Sequence, residues 1–243
     1  GNYLKGTTTN SNVTIHGTPT ISGKLFGGGY KSDIGKADAP GSTTIKVVGG
    51  TINNDINGGS EEGIVYGTTN MYIGVDSFID ATLTAGNVEI KGTIYGAGSS
   101  TNNGYTTSSV IGNTKMTMDN SSIYPVIYSG SIYGSGKNST YSTSGTDSDE
   151  STIHIKDFRT SVDNTYQFVS IERTGSLYIG KSFIELTGRQ DEYNFYKRKS
   201  YTLNRITKGL TIYDNTTLFN RRGFNMVGGF NSYRTLGGAK ATM

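Results

Sequence analysis

The chain has no cysteine, no tryptophan, only three prolines and only two histidines in 243 residues. Without cysteine there is no disulfide, no thioester, no thiol nucleophile and no cysteine-ligated zinc. Three prolines are too few for a proline-rich linker. His16 and His154 stand far apart in the chain. Two lone imidazoles do not supply a metal site or a catalytic dyad. No apolar run reaches the roughly 18 residues of a membrane-crossing helix, and no signal peptide is recognisable. The first residues, "GNYLKGTTTN", and the last, "GGAKATM", read as cut from something longer, with Gly1 a cloning remnant.

Charge and hydrophobicity are low as well. Charged residues make up 17%, the net charge is +3, and hydrophobic residues reach 33%, against a usual apolar share of about 45–50% that includes glycine. Disorder does not follow, because low charge with recurring Ile, Val, Tyr and Phe leaves surface to bury. A thin, elongated core fits these facts better than a round one.

What is abundant is glycine, at 35 residues, with Ser, Thr, Asn and 17 tyrosines. The phrase "TIKVVGGTI" (44–52) alternates apolar and polar residues, breaks at glycine, and resumes with an apolar residue. It returns at "NVTIHGTPTI", "NMYIGVDSFI" (a weaker copy), "NVEIKGTI", "TKMTMDNSSI", "STIHIKDFRTSV", "SLYIGKSFI" and "GLTIYDNTTL". The first apolar positions are Val13, Ile45, Met71, Val88, Met116, Ile153, Leu177 and Leu210. Alternation of period two means strand, and no sustained helical stripe exists. A regular phrase at an irregular step predicts strands stacked in one wall, with variable loops between them, which is the pattern of a solenoid.

A second phrase follows the first: "KLFGGG", "DINGG", "IVYG", "TIYGAG", "SIYGSG" and "NMVGG". Glycine there suits sharp corners, since it tolerates positive φ and close backbone approach. Residues 27–42, 96–113, 134–151 and 188–209 read as the longest inserts, and the first three are expected along one edge. Insertions gathered on one side of a repeat protein often form its binding face. The expected fold is all-β, a right-handed parallel β-helix with long loop inserts on one edge; the handedness follows the usual chirality of parallel crossovers. The expected organisation is β-helix coils over 1–187, an aromatic-basic insert over 188–209, and last coils over 210–243 that continue into a larger protein.

The repeated "TI-x-[VI]-x-GG-TI", followed by "[IV]YG-G-G", resembles the Gly-rich, pectin-lyase-like β-helix regions of large surface adhesins from Gram-positive gut bacteria. The resemblance covers about residues 10–230 and is one of repeat style, not of a catalytic or ligand motif. It implies a secreted or wall-attached protein that binds host proteins, glycans or other cells, immunoglobulins among them. It identifies no functional residue, and the denser charge and aromatics of 188–209 depart from the style.

The residues themselves offer little catalytic chemistry. Glycosidases need a carboxylate pair across a cleft, and the visible acid cluster, Asp147, Asp149 and Glu150, lies in a Ser/Gly-rich stretch with no spacing that forces convergence. Calcium there stays an open question, since a D-x-D-G-style loop is missing. Tyrosine beside Ser, Gly and Asn is the composition of antibody-like binding loops, where a rigid ring gives contact area at low entropy cost. Between Arg189 and Arg222 eight basic residues face three acidic ones, and "YNFYKRKSY" interleaves rings with cations. Tyr and Arg are common interface anchors. The candidate ligand-binding residues are therefore Tyr193, Phe195, Tyr196, Arg198, Tyr201, Tyr105, Tyr141 and Tyr30. The expected function is non-catalytic recognition of a host extracellular protein (an immunoglobulin or other glycoprotein) or a surface glycan. No cofactor, metal, nucleic acid or membrane insertion is expected, and the segment should be a monomer within a larger chain. A polysaccharide-active lyase or hydrolase and a passive stalk are the alternatives.

Overall fold

The computed structural model describes residues 7–74, 82–99, 109–120, 124, 126–128, 130–134, 136, 140–141, 151–156, 168–172, 174–180, 183–186, 206–213, 217–219, 233–235 and 240–241. These residues are all-β, with strands in parallel sheets and no helix among them.

Four sheets divide the strands. Sheet 1 takes Thr7–Thr8, Asp33–Lys36, Ile64–Val65, Ser109–Val110 and Thr140–Tyr141, and Ala39–Pro40 folds back on it as its one antiparallel member. Sheet 2 is the broadest, with Asn10–Ile15, Ser42–Val47, Thr68–Ile73, Thr114–Asp119, Ser151–Lys156, Thr174–Gly180, Ile206–Tyr213 and Tyr233–Thr235. Sheet 3 holds Thr20–Ile21, Gly50–Ile52, Val88–Ile90 and Val126–Tyr128. Sheet 4 holds Leu25–Phe26, Ile56–Asn57, Ile94–Tyr95, Gly130–Tyr133, Phe168–Glu172, Phe183–Leu186, Thr217–Phe219 and Lys240–Ala241. From Thr7 to Lys156 the chain visits sheets 1, 2, 3 and 4 in that order, again and again. Beyond Lys156 the described strands alternate between sheets 4 and 2 alone.

The apolar alternation sets the register. In sheet 2, Val13, Ile45, Met71, Met116, Ile153, Leu177 and Leu210 stand in one row across seven strands. Ile52, Ile90 and Tyr128 form the matching row in sheet 3, and Ile56, Ile94 and Ile132 in sheet 4. These rows meet in one buried core, and each fully buried aliphatic side chain contributes about 1.5–3 kcal/mol of apolar transfer. Ile34, Val65, Ala97 and Val110 make a second, smaller core under sheet 1.

Gly27, Gly58, Gly96 and Gly134 follow the strands of sheet 4 and stack in a column. A Cβ on Gly27, Gly58 or Gly96 would lie 2.1–2.2 Å from the carbonyl oxygen of the next glycine in the column. Glycine is required there for space, not for positive φ. The same carbonyls accept hydroxyl hydrogen bonds from inward threonines of sheet 2: Thr69 to Gly96 O at 2.6 Å, Thr114 to Gly134 O at 2.7 Å, and Thr43 to Gly58 O. Each buried threonine thus braces sheet 2 to the corner after sheet 4.

Some sequence expectations need correction. Residues 27–42, 96–113 and 134–151 are not simply loop inserts, since each carries a strand of sheet 1: Asp33–Lys36, Ser109–Val110 and Thr140–Tyr141. All three follow a strand of sheet 4, namely Leu25–Phe26, Ile94–Tyr95 and Gly130–Tyr133, so they leave from the same kind of corner. Val88 does not belong to the row of Met71 and Met116; it pairs with Gly50 and Val126 in sheet 3. Met71, read as a weak copy, is fully in register on both sides. "IVYG" is not a sheet 4 corner, because Ile64–Val65 lies in sheet 1.

Candidate functional site

Of the eight candidate binding residues, Tyr105, Tyr193, Phe195, Tyr196, Arg198 and Tyr201 lie outside the described residues. So do Asp147, Asp149 and Glu150. Tyr141 does not sit in an open loop. It lies on a strand of sheet 1, in register with Val110.

Tyr30 is half-buried and forms a parallel bridge with Glu61, which in turn bridges to Ser99. It is therefore a rung of the stack rather than a free loop residue. The next residue, Lys31, sets its ammonium 5.1 Å from the centre of the Tyr30 ring and 3.5 Å from the Glu62 carboxylate. A hydrogen bond and electrostatic attraction from Tyr30, then from Glu62, hold the Lys31 ammonium above its ordinary pKa. Lys31 and Glu62 occupy equivalent places in successive passes, and both have positive φ, 48° and 56°. Left-handed backbone at a non-glycine residue costs about 1–2 kcal/mol, so the corner at Tyr30 carries strain that its cross-pass contacts offset.

Other tyrosines are structural. Tyr95 and Tyr133 pair in sheet 4 and stack with ring centres 5.2 Å apart. Tyr128 is buried and donates its hydroxyl to Ser131 O at 2.6 Å. Burial pushes its phenol well above its ordinary pKa, so it stays neutral.

The feature that sequence reading missed is the outward face of sheet 2. Strand alternation turns Ile45, Met71, Met116 and Ile153 inward and leaves their neighbours outward. One outward row runs Asn12, Thr44, Asn70, Lys115 and Thr152; the next runs Thr14, Lys46, Tyr72, Thr117, His154 and Tyr178. All are exposed or half-exposed. His154 stacks on Tyr178 at 4.4 Å with 14° between the planes. Burial in this stack lowers the His154 pKa below its ordinary value. Asp119 is the one carboxylate at an outward position of these strands through Lys156, and Lys156 holds it at 3.1 Å. The signal lay in the polar letters between the apolar ones, but only the register shows that they align. His16, one residue past Ile15, lies outside the His154 row.

Among the described residues no group of three or more His, Asp or Glu side chains is placed to hold a metal. No helix among the described residues is long and apolar enough to cross a membrane. Comparison with protein-family models, with curated proteins and with solved structures finds no match to this chain.

Proposed function

We propose that this chain is a right-handed parallel β-helix that serves as a non-catalytic binding segment of a bacterial surface or secreted adhesin. Its ligand is a host extracellular protein, an immunoglobulin or other glycoprotein, or a surface glycan. The observation that carries this reading is the contrast between fixed registers and variable connections. Side chains that hold the passes together keep strict rows, while the chain between them varies in length and is rich in Tyr, Ser, Gly and Asn. A rigid scaffold with variable connections is how folds commonly present binding residues. The proposed contact residues are Tyr193, Phe195, Tyr196, Arg198 and Tyr201, with Tyr105, Tyr141 and Tyr30.

The test is binding of the purified chain to an array of host extracellular glycoproteins, immunoglobulins and glycans. A variant with Tyr193, Phe195, Tyr196 and Arg198 changed to Ala is run beside it. The expected result is binding to one ligand class, lost in the variant at unchanged circular dichroism. Binding to none of them sinks the proposal.

A further inference from the structure

The outward face of sheet 2 has a consistent chemistry. Through Lys156 it offers ammonium groups at Lys46, Lys115 and Lys156, amides at Asn12 and Asn70, and hydroxyls at Thr14, Thr44, Tyr72, Thr117 and Thr152. Its one carboxylate, Asp119, is engaged by Lys156. Hydrogen-bond donors and positive charge therefore dominate. Two other faces differ: outward positions of sheet 3 bear Thr51, Glu89 and Ile127, and sheet 1 bears Asp33 and Ile64 beside a single exposed lysine among its described residues, Lys36. Neighbouring strands lie about 4.7–4.9 Å apart, so the donors recur along the stack with a polymer-like period. Lys46 and Lys115 stand two strands apart, roughly 10 Å along that direction, and in adjacent outward rows, about 6.6 Å apart along the strand. This suits a chain with an anionic group on every second unit.

Stacking on a base or a neutral sugar needs an open ring face, and His154 and Tyr178 cover each other's facing sides.

We propose that the outward face of sheet 2 binds an extended acidic polysaccharide with one carboxylate or sulfate per disaccharide, lying along the stack. The ammonium groups of Lys46 and Lys115 meet the anions, and the Thr, Asn and Tyr side chains meet sugar hydroxyls. This rests on reading the chain as a binding protein, but it uses a different surface from the loops named above.

The experiment uses the whole chain, immobilised hyaluronate and unsulfated chondroitin as the disaccharide-repeat probes, and polygalacturonate, dextran and single-stranded DNA as competitors of other spacing, charge or class. Two double variants make the same change in net charge: Lys46→Glu with Lys115→Glu on the face, and Lys24→Glu with Lys36→Glu away from it. Thermal melting checks that both fold. The expected result is binding to hyaluronate or chondroitin that falls with salt, weakened about tenfold or more by the face variant, because ammonium–anion contacts are salt-sensitive and local, and changed less than about twofold by the other. Neither dextran nor DNA competes comparably. Equal loss in both variants, no effect of the face variant, or equal competition by DNA or polygalacturonate overturns the proposal. If acidic polysaccharides fail while a host protein binds the array, this inference falls and the adhesin reading stands.

Discussion

At the scale of single residues, the glycine column and its threonine braces decide stability more sharply than the apolar core suggests. A methyl group on Gly58 would sit 2.1 Å from the Gly96 carbonyl oxygen, which is backbone and has no flexible end to swing away. Gly58→Ala should destabilise the fold by about 1–3 kcal/mol, the usual range for overpacking. Gly23→Ala meets nothing within 4 Å. It should be neutral or stabilising by up to about 1 kcal/mol through the unfolded chain. Urea melts of both variants test this, and equal midpoints would refute the spacing argument. Thr69 gives a second check. Its buried hydroxyl donates to Gly96 O, so Thr69→Val should cost about 1–2 kcal/mol by removing that hydrogen bond. Thr69→Ser, which keeps the donor, should cost less; a serine variant no more stable than the valine one would show that the methyl matters and the brace does not.

At the scale of elements, the strands of sheet 2 were legible in the sequence, while the sheet 4 segments read only as apolar residues before glycine corners, and the assignment of strands to sheets was less legible still. Val13, Ile45, Met71, Met116, Ile153, Leu177 and Leu210 are in register because each opens the same apolar alternation. "NVEI" opens it too, yet Val88–Ile90 belongs to sheet 3. Period two states that a residue points inward but not which wall it points from. Sheet 1 escaped notice because its strands are as short as Ile64–Val65, and two residues carry no period. The Tyr30 rung was hidden for a related reason, since a bridge to Glu61 depends on how passes align. The outward row of sheet 2 also yields a pH prediction. Burial lowers the folded His154 pKa below its value in the unfolded chain. In the window below the ordinary value of 6.5 and above the folded value, the unfolded state binds more protons. Stability from this group is thus unchanged above pH 6.5 and falls as pH drops through that window. Melting temperatures between pH 7.5 and 5 should decline more steeply in the wild type than in His154→Gln. Parallel slopes would mean that the imidazole titrates as in the unfolded chain.

At the scale of the whole molecule, the two halves of the chain are joined unequally. Up to Lys156 the strands fall in four sheets, and beyond it the described strands fall in sheets 2 and 4 alone. In a stacked architecture each pass touches only its neighbours, and stability is close to a sum of local and nearest-neighbour terms. A cavity made early in the stack should therefore loosen the early passes first. Ile45 is fully buried in the main core, and Ile45→Ala should cost about 2–5 kcal/mol. Hydrogen exchange then reports where that cost is felt. The expectation is lost amide protection in Asn10–Ile15, Ser42–Val47 and Thr68–Ile73, with protection of Thr174–Gly180 and Ile206–Tyr213 little changed. A second outcome is possible on physical grounds, because the core runs without a break from Ile45 to Leu177 and could couple all passes. Protection would then fall by the same factor in every described strand of sheet 2, and the stack would be a single cooperative unit although its described strands beyond Lys156 fall in sheets 2 and 4 alone. The ratio of protection loss at Ile45 and at Leu177 separates the two, since a nearest-neighbour stack requires it to be large and a single unit requires it to be close to one.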